Sequence, residues 1–459
     1  MNFIKQNKIT YLAFHVLLGL LVHFMGFFVF IYYAAFLALG TYWLIKNNDR
    51  DFQALTLILY VVGLEILFRM RSDGAIYDLG KYSVIYFCIL SFGFIRINLK
   101  AWPYFLILLL FIPGIVLTVN TFFFEIDVRK KIMFNLLGPI SLVFASLYTY
   151  NKSITLKRLN ECLFFAAGPL VSILTLIIVF TPANKAKVFE STTSNFATSG
   201  GFGPNQMSVI LGLGIFIFFI QFFFNSKEKL FSYLCLFLVF VFAYRGLITF
   251  SRGGMLTALA MVLTFCYTIF KLLNKQARSK FLGVFSLLVI LAIGAWFYSS
   301  YQTGGMIDKR YNNQDAAGRM KESKLSGRED IMETDLKFFY ENPVFGVGPG
   351  IGGMMRGEEG LQGVQAHSEP TRLLAEHGSL GLIILLLLVF VPILKYFRFR
   401  QYHHIYFFPF LIFWGLTINH AATRIVAPGV LYALTLLNVS IKNEEDEQEE
   451  DDEDSVPRQ

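Results

Sequence analysis

Two arginines and one histidine offer the chemistry for which this sequence can be read. Arg252 stands in "SRGGML", Arg328 in "GREDIMETDLKFFYENPVFGVGPG", and His367 opens "HSEPTRLLAEHGSLG". A guanidinium keeps its charge and presents a planar fork of donors. It therefore suits a phosphate or diphosphate group that gains negative charge as a bond to it breaks. An imidazole titrates near neutrality and can take the proton from an attacking hydroxyl. His367 is thus the candidate general base, and Arg252 and Arg328 are the candidate ligands of the departing diphosphate.

Each of these residues also has a blander reading. A loop histidine more often caps or hydrogen-bonds than catalyses, and an arginine near a span end is as readily a snorkelling interface residue. The spacing shifts the balance for His367. Ser368 follows it, then nine residues, Gly378, two more residues and Gly381. Further candidates are secondary. Arg245 lies more than a turn deeper than Arg252, while Arg372, Glu376 and His377 flank the signature and could orient His367 or hold a donor. Arg424 in "NHAATR" is a candidate phosphate contact. Glu65, Arg69 and Arg71 cluster at one span end, where an internal ion pair is favoured over substrate contact.

These residues are set in a chain made for lipid. Of 459 residues 55% are hydrophobic, 51 are Phe and only 16% are charged, which excludes an ordinary soluble globular protein. A spanning helix needs about 20 apolar residues. Candidate spans run near 10–26, 28–45, 53–70, 82–96, 102–119, 133–149, 161–181, 206–224, 230–249, 254–271, 281–299, 378–396, 404–419 and 425–441. The expected fold is an all-α bundle of about fourteen spans. Lys5 and Lys8 before the first apolar run read as a retained signal anchor.

Alternate connections carry "KNNDR", "RINLK", "NKSITLKR", "NSKEK", "KLLNKQARSK" and "KYFRFRQ". The positive-inside bias assigns these and both termini to the cytoplasm. Nucleic-acid binding is set aside, because the basic residues are scattered among short loops rather than gathered on one face. Ten acidic residues between Glu444 and Asp454 make a tail read as disordered. The four cysteines all fall in apolar runs and imply no disulfide or metal framework. Glu125 and Asp127 form a weak acidic pair in an outer loop.

The one large extramembrane stretch runs from Tyr301 to Glu376, too long to be structureless. Ser326 and Glu329 form a capping box that starts a helix reaching Tyr340, with Arg328 in its first turn, and Asn342–Pro343 stops it. "GVGPGIGG" reads as a tight turn or hinge, and Pro370 begins a helix toward the next span. The expected organisation is a bundle over 1–300, a periplasmic catalytic loop over 301–376, three last spans over 377–441 and the tail over 442–459.

The His–Gly–Gly spacing resembles the signature of the O-antigen ligase/polymerase superfamily. "GRED…GVGPG" is similar to its loop segment, "SRGGML" to its membrane-edge arginine motif, and "GFGPNQMSVILGLG" to the span before it, so the resemblance covers roughly residues 200–435. It implies a C-type membrane glycosyltransferase of the bacterial inner membrane, working on the periplasmic face without a metal or nucleotide cofactor. The implied donor is an undecaprenyl-diphosphate-linked glycan and the implied acceptor a sugar of lipid A-core. The family's two arginines and histidine map by motif onto Arg252, Arg328 and His367, and Met332 stands where many relatives have Trp. With base and diphosphate on opposite faces, direct displacement inverts the anomeric centre.

Two competing functions remain open at this stage. A polymerase would move the growing chain onto the next lipid-linked repeat unit and shares the same motif chemistry. A polysaccharide or lipid transporter would instead line its midplane with charges and broken helices, whereas the candidate residues here gather at one face.

Overall fold

The computed structural model describes residues 7–71, 77–121, 128–182, 188–323, 328–358, 366–401 and 403–441. The helices are α1 (Lys8–Phe24), α2 (Phe28–Asn47), α3 (Gln53–Arg69), α4 (Leu79–Phe92), α5 (Trp102–Thr121), α6 (Val128–Thr149), α7 (Leu156–Phe180), α8 (Pro204–Phe224), α9 (Lys229–Leu247), α10 (Arg252–Leu272) and α11 (Lys275–Gln302). Three short helices of the long loop follow: α12 (Met306–Tyr311), α13 (Arg328–Glu341) and α14 (Ile351–Glu358). The chain ends with α15 (Glu369–Arg398), α16 (Phe407–Ile418) and α17 (Ala427–Leu434).

Among the described residues nine helices are long and apolar enough to cross a membrane, and three shorter apolar helices accompany them. The protein is a mostly helical multi-pass membrane bundle. A helix lies within every predicted span, but helix length does not carry the count of fourteen. The segment expected to span 425–441 is helical only over eight residues, α17. Beyond it Asn438–Ser440 forms a strand that pairs in parallel with Ser153–Thr155, so the bundle is not wholly α. A three-residue strand gives no periodicity to read, and the apolar run continued through it.

Close packing follows the small residues. α8 packs on α9 and α10, α3 and α1 pack on α7, and α10 packs on α16. At Gly254, the second glycine of "SRGG", an added Cβ would lie 2.3 Å from the Ser208 carbonyl carbon, so α10 meets α8 backbone to backbone. The two motifs "SRGGML" and "GFGPNQMSVILGLG" are thus partners in one helix contact.

The long loop folds much as its sequence signals require. The helix with Arg328 at its first position ends at Glu341, just before Asn342–Pro343; the proposed cap Ser326 lies outside the described residues. "GVGPGIGG" is a turn with Gly346, Gly348 and Gly350 at positive φ. Its N–H groups are already engaged: Val347 and Gly348 donate to the carbonyls of Ala375 and Glu376, and Gly350 donates to the Glu376 carboxylate at 3.0 Å. The tight-turn reading therefore holds over an anion nest. α15 starts in the loop and runs into the membrane through a break at Gly378 (φ 60°, ψ −139°). A Cβ there would sit 2.6 Å from the Val344 carbonyl, which explains the glycine of the signature. Glu125, Asp127 and the acidic tail lie outside the described residues.

Candidate functional site

The site forms among five segments: the start of α10, the loop helices α12 and α13, the extended approach to α15, and the connection 419–426 between α16 and α17. Ser251 precedes α10 and is held by Ser208 and Asn205 through its hydroxyl, both at 2.9 Å. That contact fixes Arg252 as the first residue of a 21-residue helix, whose free N–H groups and dipole favour an anion. Arg328 begins α13 in the same way and is half-buried.

A third guanidinium joins them. Arg310 of α12 is 6% exposed, and its Nε donates to the carbonyl of Phe250 at 2.9 Å, two residues before Arg252. Burial pushes Arg310 down to about 10, and Arg252 and then Arg328 add to the shift. Burial and then Arg252 likewise lower Arg328. Like charges are thus gathered in a partly desolvated space, at a cost that a bound anion would remove.

The backbone of His367 is tied to this region through the 419–426 connection. Its carbonyl accepts from the Ala422 N–H at 3.1 Å, and Arg424 donates to the carbonyl of neighbouring Ala366 at 2.7 Å. Two residues before Ala422, His420 packs on Gly253, where an added Cβ would lie 2.6 Å from the imidazole. His420 donates from Nδ1 to the Leu416 carbonyl at 2.9 Å, since a carbonyl can only accept. Burial and then Arg328 push it down to about 4, the Leu416 bond opposing them. Arg424 is lowered by burial, with Arg328 adding to it. The segment bearing His367 is therefore bonded to the connection that also touches Arg252's helix.

The secondary candidates make internal bonds. Arg372 bonds Glu369 and Glu376, and Glu369 also accepts from the Thr423 hydroxyl at 3.0 Å. This buried network joins α15 to the glycine turn and to the 419–426 connection, and so sets where His367 lies. Arg69 pairs with Glu65 at 2.7 Å and donates to the carbonyls of Tyr77 and Arg424. The ion pair expected at Glu65 and Arg69 is present. Arg71 donates to the carbonyl of His23. Arg245 donates to the carbonyls of Ile177 and Thr198, closing the end of α7. His377 is wholly buried against Phe111 and Gly114, away from the loop surface.

Sequence reasoning missed Arg310 and His420. Arg310 is one basic residue among several in a charged loop, and His420 lies in a short connection. Neither has a spacing that marks it.

Beside α12 lies a partly open cavity between α8, α9, α10 and α11, with Leu256, Leu259 and Leu263 of its lining exposed on the outer side. Its walls are almost entirely apolar, including Phe240, Met255, Leu259, Phe285 and Trp296, and Tyr311 stands at its rim. The fold defines a multi-pass membrane protein, with a cluster of guanidinium groups beside an apolar cavity. A family model described as O-antigen ligase matches residues 237–386, from within α9 to within α15, and supports the likeness to the O-antigen ligase superfamily. The match supports a function of the ligase/polymerase type, glycosyltransferase-like in the broad sense. In a comparison with curated proteins nothing matches the chain.

Proposed function

We propose that the protein transfers a glycan from undecaprenyl diphosphate to an acceptor sugar of lipid A-core on the periplasmic face of the inner membrane. The observation that carries this reading is that Arg252, Arg310 and Arg328 lie within one another's electrostatic field, while Tyr311, next to Arg310, lines the apolar cavity. A polyprenyl chain fits the cavity and a diphosphate fits the arginines, and few other ligands need both. The topology that places this face outward is the one the positive-inside bias gives.

In this reading the diphosphate lies between Arg252 and Arg328. The acceptor hydroxyl approaches from the side of His367, which takes its proton as oxygen attacks the anomeric carbon. The bond from that carbon to the diphosphate oxygen breaks, its electrons stay on the oxygen, and the arginines neutralise them. The configuration inverts, no metal takes part, and the proton on His367 later passes to solvent. The test is transfer with purified protein in EDTA, offering either lipid A-core or a second lipid-linked repeat unit as acceptor. Product on lipid A-core supports a ligase; lengthened lipid-linked chains instead would make it a polymerase; neither product would overturn both.

A further inference from the structure

Adjacent residues of α12 face two different chemistries. Arg310 turns toward the start of α10, where its bond to the Phe250 carbonyl fixes the guanidinium plane beside Arg252. Tyr311 lines the apolar cavity, its ring edge-on to Trp296 with centroids 4.8 Å apart. Its phenol lies within the field of both Arg252 and Arg310. α12 is firmly seated: Ile307 is fully buried, and Asp308 accepts from the Trp296 indole at 3.0 Å and from Ser300. A six-residue helix so anchored cannot swing one residue without the other.

We infer that α12 is the clamp for the junction of a polyprenyl diphosphate, with Arg310 as a third ligand of the diphosphate and Tyr311 closing over the first isoprene units. The inference rests on the donor proposed above and adds the residues that read where headgroup meets tail. Charge supports it, because three guanidinium groups match a diphosphate better than a single phosphate. Shape supports it as well. Tyr311 offers an apolar ring to the tail and a hydroxyl to the wet side, the usual division of labour for a tyrosine at a lipid boundary.

The test is binding of two probes, inorganic diphosphate and undecaprenyl diphosphate, to the full chain in nanodiscs by calorimetry. Arg310→Gln should weaken both probes about tenfold, as loss of a charge-assisted contact does. Tyr311→Ala should weaken undecaprenyl diphosphate about fivefold and leave inorganic diphosphate unchanged. Arg252→Gln reports on the donor reading itself. If it weakens binding while Arg310→Gln does not, the clamp is wrong and the donor stands; if no arginine variant changes binding, the donor assignment fails too. Should Arg310→Gln lose its fold, judged by its melting midpoint, Tyr311→Ala decides. Equal loss for both probes, or no loss for the lipid, overturns the clamp.

Discussion

The Ala422 N–H donates to the carbonyl of His367 over 3.1 Å, and that bond ties the candidate base to a connection close to the arginines. Two residues away His420 lies on Gly253, the residue after Arg252, so a displacement of 419–426 moves both halves of the site. The short connection between α16 and α17 thus links the two halves of the site.

The buried network at Arg372 should behave as a support rather than a reagent. Glu369→Ala leaves Arg372 with one carboxylate partner and removes the acceptor of the Thr423 hydroxyl. A loss of about 1–3 kcal/mol in stability is expected, because hydrogen bonds of a buried charge are left unmade while Glu376 still neutralises it. Thermal unfolding in detergent checks it, and an unchanged midpoint would mean that water already satisfies Arg372.

Gly254 should tolerate no side chain. Gly254→Ala pushes a methyl into the Ser208 backbone, and overpacking of this kind costs about 1–3 kcal/mol. Because Arg252 starts the same helix, undecaprenyl diphosphate binding should weaken along with stability. Calorimetry on the variant separates the two effects.

His420 should make the protein acid-sensitive. Its folded value is depressed to about 4 from an ordinary 6.5, so the neutral form favours the fold. The stability it contributes is fully present above about pH 6.5 and is lost as the pH falls toward 4. The full difference is on the order of 3 kcal/mol. Unfolding midpoints of wild type between pH 7 and pH 4 should fall more steeply than those of His420→Gln; parallel slopes would show that His420 is not what titrates.

Much of the site was legible because its residues come with fixed neighbours. The serine and glycines around Arg252 encode a helix start and a close contact, and Gly378 encodes a break that only a residue tolerant of positive φ can make. Arg310 was not legible, since a buried arginine and a surface arginine look alike until the Phe250 carbonyl is placed beside one of them. The end of the chain misled for a related reason. The apolar stretch after Ala427 satisfies a span by composition, but its helix stops at Leu434 and the strand Asn438–Ser440 pairs with Ser153–Thr155, a contact between distant segments that no local pattern announces.

The central claim is that Arg252, Arg328 and His367 act on one lipid-diphosphate-linked donor. The most direct measurement is the rate of glycan transfer from undecaprenyl diphosphate by wild type, Arg252→Ala, Arg328→Ala and His367→Ala at equal folded concentration. All three variants should fall by about a hundredfold or more, with the arginine variants also losing donor affinity and His367→Ala retaining it. His367→Ala transferring at the wild-type rate, or arginine variants that bind donor normally, would contradict it.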